Sequence, residues 1–528
     1  MSVDAPTADG RQGRERATLG AVCVAAVLLP ISLTGASVAL PDIANDLHSG
    51  LAPLQWVVNG YDLTFASVAL AAGSFADRFG RRRIFVTGLL IFVICSILSA
   101  VAPDMLILDL ARGAAGVGAA GVLTSGAALL AQTFEGAARA RAFAGLGTAF
   151  GLGIAFGPVL CGAEVNLFGW RGVFLSHAVV AAAVVLVIRA VVQESRPDSV
   201  AAMDWSGILV FTGALSLFIL TLIQAPQWGW TSAPVLAAII ACVALVVAFP
   251  LVEKRQASPL FDVTLLGNRR FAGISLVPVA LGFGFTGVLI LLPAYFASTK
   301  DYSAGRSGVV LMLLTVPTLL LPTVGGWMTK FTSVRAILTL SLLLSTAGAA
   351  ALTVISPSTS VIALAPALIL LGAGFGISLG ILDGAAVNSV STERAGMAAG
   401  MFSTMRLAGE VVAIAAMGSL IVTLTRSQLS GGLGRFTQNY SGDAGTLANT
   451  LSQGDLPGVA NSLPAGATRT AFTSFAAGGY TDAFQIMLWL LAGLCALSAL
   501  TVAVLLREGH ATPEAAAQVE AARTASVS

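Results

Sequence analysis

Apolar runs of about twenty residues, repeated along the chain, leave this sequence one way to fold. A run of that length crosses the hydrocarbon core of a bilayer as a helix. Inside lipid every backbone N–H and C=O must be satisfied within the segment, which a helix does by itself. Reading along the 528 residues gives fourteen such runs, at 19–41, 54–76, 84–103, 105–132, 143–166, 172–194, 206–224, 234–252, 271–297, 307–328, 335–355, 361–387, 397–425 and 482–506. The expected fold class is all-α and integral to the membrane, with about fourteen transmembrane helices. Charged residues make up only 10% of the chain, whereas a soluble domain needs about 25% to cover its surface.

The charges that remain fall unevenly between the runs. Arg81 to Arg83, Arg139, Arg141, Arg196, Lys254, Arg255, Arg269, Arg270, Lys330, Arg335, Arg394 and Arg507 lie in alternate connections. The opposite connections hold fewer: Arg171, Lys300, Arg306, Arg426, Arg435 and Arg469. Basic loops stay on the cytoplasmic side, so both termini are expected to be cytoplasmic, in a multi-pass protein of the cell membrane. The polar segment 1–18 is then a cytoplasmic tail, and the run after it exceeds a signal-peptide core and reads as an uncleaved span. Residues 507–528 form a second cytoplasmic tail. Gln224 to Trp230 reads as a short interfacial turn. The long outer loop at 426–481 is rich in Gly, Ser, Thr, Asn and Ala, which leaves open short helices, a hairpin or mobility.

Several function classes drop out. The net charge of +2, without a basic stripe, gives nucleic acid nothing to bind. The five cysteines lie inside apolar runs without metal-ligand spacing, and the three histidines are scattered, so no metal and no cofactor are expected. No HExxH and no GxxxxGK[ST] occurs, so neither zinc hydrolysis nor ATP drive is indicated. Gly376-Ile-Ser378-Leu-Gly380 matches GxSxG, but it lies in an apolar helical run rather than on a strand-to-helix turn, and reads as small-residue packing. The expectation is a non-enzyme, and no repeated pore signature points to a channel.

Six ionisable residues lie well inside the runs: Asp62, Asp109, Arg112, Asp383, Arg406 and Glu410. Charge inside a membrane is costly, so each is a functional candidate. Asp62 lies roughly 12 Å and Arg112 roughly 10 Å from the outer ends of their spans, by helical rise, so the two can meet. Asp109 precedes Arg112 by three residues and shares its face. Arg406 and Glu410 are an i, i+4 pair, and Asp383 is a candidate partner for Arg406. These acids read either as structural ion pairs or as proton carriers. A carboxyl isolated in low dielectric can load and release a proton near neutral pH. Asp62 and Glu410 are the leading coupling candidates, followed by Asp109 and Asp383; Arg112 and Arg406 are the ion-pair candidates.

Between the second and third runs, Gly73, Asp77, Arg78, Gly80 and Arg81 to Arg83 are packed into one short turn. Glycine there permits close helix approach and a tight reversal, and the arginines suit an anionic membrane surface. The spacing G-x-x-x-D-R-x-G-R-R resembles the signature of the major facilitator superfamily. Arg112-Gly-Ala-Ala-Gly116-Val-Gly118-Ala-Ala120 resembles that family's R-x-x-Q-G-x-G-A-A, with Ala115 in place of glutamine. Gly153, Gly157, Pro158 and Gly162 resemble the glycine-proline motif of its antiporter branches, with Cys161 replacing one glycine and Ala144 another. With Ala39-Leu40-Pro41 and Trp56 to Tyr61, the matches resemble the fourteen-helix drug:proton antiporter branch. Gly325 to Lys330 resembles a second copy of the opening turn, with Thr329 for the aspartate.

The resemblance implies a six-helix lobe at 19–196, two linker helices at 205–252 and a second six-helix lobe at 270–506, with the turn at 73–83 gating between them. It implies a proton-coupled antiporter that exports small amphipathic molecules by alternating access, as a monomer in the lipid bilayer. Phe65, Phe150, Phe283 and Met405 are candidates for lining its cavity. One departure stands out. The family often carries an acid before the Ala-Leu-Pro, and here Ser32-Leu33-Thr34 stands in that place. Either coupling has moved to Asp62 and Glu410, or coupling and substrate charge differ. A facilitator or symporter for one metabolite is the alternative on the same fold; a membrane enzyme or channel is the alternative from another class.

Overall fold

The computed structural model describes residues 8–47, 51–192, 194, 204–256, 261, 263–390, 395–437 and 439–507. Residues 1–7 and 508–528 of the two tails, and the side chains of Asp77, Ala144 and Pro158, lie outside the described residues. All regular structure among the described residues is helical: α1 (Ala8–Asp46), α2 (Leu51–Phe79), α3 (Arg81–Ala100), α4 (Met105–Thr133), α5 (Gly136–Val191), α6 (Trp205–Trp228), α7 (Ala233–Glu253), α8 (Arg269–Leu281), α9 (Val288–Lys300), α10 (Ala304–Met328), α11 (Val334–Leu352), α12 (Val361–Leu379), α13 (Leu382–Val387), α14 (Ala395–Ser430), α15 (Ala444–Ser452), α16 (Leu456–Ser462) and α17 (Ala467–Leu505). A π-helical turn, Gly282–Gly287, joins α8 to α9 as one continuous crossing.

Twelve stretches of the described residues are long and apolar enough to cross a membrane. The stretch Val159–Val191 of α5 is among them; α2 and the part of α5 before Val159 are not. α5 reverses at Gly169, whose φ of 71° is a backbone state that side-chain-bearing residues resist. That break falls between the runs read at 143–166 and 172–194. Trp170 Nε1 donates to Asp46 Oδ2 at 3.1 Å beside it, and Arg171 pairs with the same carboxylate.

Several helix starts are fixed by side-chain caps. Asp104, Asn268, Ser333 and Ser360 each accept from a backbone N–H in the first turn, satisfying donors the helix cannot.

Four larger apolar cores divide along the sequence. Phe85, Phe92, Leu129 and Ile188 belong to one formed by α1 to α5, and Ala36, Val57, Leu108 and Phe174 to a second in the same helices. Leu292, Leu314, Leu368, Met417 and Phe484 belong to a core of the later helices, and Phe271, Ile337, Phe402 and Val502 to another. α6 packs against both α2 and α14, through Leu63, Ile219 and Val411. Thr212 and Ser216 of α6 also donate to Ser67 of α2, at 3.0 and 2.9 Å. α7 is apolar all round and buries few side chains, the pattern of a helix that faces lipid.

Four boundaries differ from the sequence reading. α6 continues through Pro226 to Trp228, so the expected interfacial turn shrinks to Gly229 and its neighbours. The run at 361–387 breaks after Leu379, where Gly380 packs against the Pro322 carbonyl, and resumes as α13. The segment 426–481 holds α15 and α16, and Leu447, Leu451 and Leu456 join the core of the later helices. α17 begins at Ala467, ahead of the expected 482, because Phe472, Ala476 and Tyr480 recur every four residues and bury against that core.

Candidate functional site

Arg112 is the most deeply enclosed charge among the described residues, at 1% exposure. Its position on α4 is set by two glycines. Gly116 lets α4 close on Tyr61 and Thr64 of α2, and Gly118 lets it close on Gly88 of α3. The guanidinium donates from Nε to the Val57 carbonyl at 2.9 Å, from Nη1 to the Ser32 hydroxyl at 3.0 Å and from Nη2 to the Ser32 carbonyl at 3.2 Å. Its plane also lies 4.5 Å from the Tyr61 ring centre and 5.6 Å from that of Phe174. Arg112 therefore clasps α1 and α2 to α4 through neutral acceptors and aromatic faces. The serine in place of the family's acid is one of those acceptors.

Asp62 is buried on α2, one residue from Tyr61, and interacts electrostatically with Arg112. Among the described residues it has no hydrogen bond or ion pair. Of the two readings open for Asp109, the ion pair with Arg112 is not formed. The arginine side chain turns to α1 and α2, and Asp109 keeps a buried Oδ1 without a hydrogen-bond partner among the described residues.

On α14, Glu410 is half-buried and interacts electrostatically with Arg406. A side chain at Gly282 would lie 3.3 Å from the Glu410 Cα, so the π-helical turn sits directly against it. Such turns recur at functional sites. Arg406 pairs with Asp383 at 3.4 Å, and both are partly exposed. Asp383 is thus the partner that the sequence offers as a candidate for Arg406. Val411 follows Glu410 and Leu63 follows Asp62, and both sit in the small cluster that α6 closes, so the two acids flank one seam.

The turn after α2 is a single residue, Gly80, with φ 107°. Its described arginines bond within the N-terminal helices. Arg81 donates to the Ala128 carbonyl at 3.4 Å, Arg82 to the Arg189 carbonyl at 2.8 Å, and Arg83 pairs with Glu194 at 3.5 Å. Arg78 is exposed. Gly73 makes no close helix contact: a side chain there would meet nothing within 4 Å. Gly153 does, packing α5 against the Val27 carbonyl and Pro30 of α1. Gly157 is buried and Gly162 half-buried further along α5. The four cavity candidates are all half-buried. Phe65 stacks on Tyr61 at 5.9 Å, Phe283 and Met405 pack at the edges of the two later cores, and Phe150 lies on the first arm of α5. Ser378, the centre of the GxSxG match, donates to the Phe375 carbonyl of its own helix at 2.8 Å.

An all-helical chain with this many apolar crossings and charges buried between them is a multi-pass membrane protein. It belongs to the Major Facilitator Superfamily, whose sequence profile matches residues 22–205 and 201–414. The family places it among transporters. It is 30% identical to a multidrug resistance protein, Stp, of Mycobacterium tuberculosis, over 73% of this chain and 72% of that protein. It is 32% identical to a drug efflux pump of the same organism, JefA, over 77% of this chain and 80% of the pump. Among solved structures, a bacterial homolog of the human lysosomal transporter Spinster superposes with a TM-score of 0.62 over 94% of this chain and 98% of its own, at 15% identity. That likeness concerns the fold.

Proposed function

We propose that this chain exports small amphipathic molecules of the drug or antibiotic class across the cell membrane, in exchange for protons, by alternating access. Relatives named for multidrug resistance and drug efflux support the substrate class. The observation that carries the coupling is Asp62: a carboxyl buried in α2, without a hydrogen-bond or ion-pair partner among the described residues, beside the enclosed charge of Arg112. Glu410, across the seam on α14, is the second proton carrier. Asp383 is a structural partner of Arg406, and Asp109 has a lesser part.

In this reading α2 and both arms of α5 span the membrane as well, making fourteen crossings with both ends cytoplasmic. Residues 19–196 and 270–506 form two six-helix lobes, joined by linker helices at 205–252. Protonation favours one arrangement of the lobes and substrate the other. The turn at 73–83 gates, with Asp77 its central acid. Phe65, Phe150, Phe283 and Met405 line the substrate path. The protein works as a monomer.

Everted membrane vesicles, with a fluorescent cationic or neutral dye in the medium, test the reading. Energised vesicles should accumulate the dye, and a protonophore should abolish accumulation. Asp62→Asn and Glu410→Gln should each remove coupled transport while leaving expression intact; Asp383→Asn should retain it. Accumulation indifferent to the protonophore sinks the proton coupling.

A further inference from the structure

The reversal of α5 brings together three side chains that the transport reading does not use. Cys161 lies eight residues before Gly169 and His177 eight residues after it, so the two stand at the same height on the two arms, roughly 12 Å from the reversal by helical rise. Glu164 follows Cys161 by three residues and shares its helix face. One ligand-type atom from each of the three residues lies within 4.8 Å of the other two.

We propose that Cys161, Glu164 and His177 form a binding site for a divalent cation of the zinc class. A thiolate, a carboxylate and an imidazole are the donors such an ion selects, and three protein ligands leave a fourth position open. A second observation points the same way. His177 is 2% exposed, and neither of its ring nitrogens has a hydrogen-bond partner among the described residues. Glu164 Oε2 is likewise buried without a partner. A buried imidazole with both nitrogens bare is costly unless something else engages it.

The geometry and the charge both suit the ion. Zinc bonds of about 2.0–2.3 Å place tetrahedral ligands roughly 3.5 Å apart, so the side chains need close by no more than about 1.3 Å on binding. Arg112 faces His177 electrostatically, and Ser176 lies beside Glu164. A divalent ion held by one thiolate and one carboxylate has no net charge, so it can sit near Arg112 without strong repulsion. Cys161 occupies a place where the resembling motif has glycine, so the site is a feature of this chain's own sequence. Binding would join the two arms of α5 and stiffen the hairpin that carries Gly153 and Gly157.

The test uses the purified full-length protein, stripped with a chelator and titrated with Co²⁺ and then Zn²⁺. One Co²⁺ per chain should bind, with a thiolate-to-cobalt charge-transfer band that Zn²⁺ abolishes. Cys161→Ser should lose the band, and Glu164→Gln and His177→Gln should weaken binding at least about tenfold. Cys23→Ser, remote from the cluster, should change nothing. Cys161→Gly repeats the test if serine is poorly accommodated, and a monodisperse elution profile certifies each variant. Zn²⁺ should raise the thermal midpoint of the parent and not of the Cys161 variants. Absence of stoichiometric binding by the parent, or a charge-transfer band that survives loss of Cys161, overturns the proposal.

Discussion

Arg112 spends its donors on three neutral acceptors, two of them on one serine. A planar fork can do this because its nitrogens point in fixed, divergent directions; an ammonium cannot serve the same set while its stem stays packed between Tyr61 and Phe174. Arg112→Lys should therefore leave part of the set unsatisfied inside the protein, at a cost of about 1–3 kcal/mol. The expected readout is a lower thermal midpoint in detergent, with Ser32→Ala showing a smaller drop because the Ser32 carbonyl still accepts. An unchanged midpoint in Arg112→Lys would mean the clasp contributes nothing. Arg112 and Asp62 were legible in the sequence because charge in an apolar run is costly and stands out. The partner was not. Spacing set Asp109 on the face of Arg112, but a side chain this long chooses among acceptors on neighbouring helices, and those neighbours exist only once α1, α2 and α4 have packed.

At the scale of elements, hydropathy marks the twelve long apolar stretches and misses the amphipathic ends. The α17 residues before 482 carry Arg469, Thr470 and Thr473, so the window average is low, while their apolar stripe is continuous with the core. α15 shows how such a segment is held in place. Asp443 accepts from the Thr446 N–H at 2.6 Å, and that bond, with the Thr446 hydroxyl, holds its carboxyl below the usual range. A carboxylate lowered in the folded segment stabilises fully above its ordinary value, about 3.9. The stabilisation is lost as pH falls through the lowered native value. Asp443→Ala should raise amide exchange across Ala444–Ser452 roughly fivefold at neutral pH, the usual effect of losing an N-cap. Asp443→Asn keeps a cap that does not titrate, so its protection should match the parent at neutral pH and vary less as the medium is acidified. Equal acid sensitivity in both proteins would place the titrating group elsewhere.

For the whole molecule, the proposed alternating access sets a quantitative demand. Swinging a two-state equilibrium from 1:99 to 99:1 needs about 5.5 kcal/mol, or about a 10⁴-fold difference in affinity between the states. A single carboxyl would have to change its proton affinity by about four pH units between them, whereas two sharing the load need about two each. That is the physical reason to look for carriers in both halves, Asp62 and Glu410, rather than in one. The same two-state view makes Gly73 informative. Here a methyl at Gly73 would meet nothing within 4 Å, whereas at Gly116 it would strike Tyr61 and Thr64 and lie 3.0 Å from the Phe65 nitrogen. Gly116→Ala should therefore lower the thermal midpoint of this arrangement, and Gly73→Ala should leave it unchanged or slightly raised, since alanine favours helix by about 1 kcal/mol over glycine. If the 73–83 turn gates, the space beside Gly73 is taken up when the lobes rock to the other arrangement. Gly73→Ala should then slow dye accumulation several-fold in vesicles while stability and equilibrium dye binding stay at parental values. Parental turnover in Gly73→Ala would mean that this face of α2 stays open through the cycle, and that the turn is only a topological anchor.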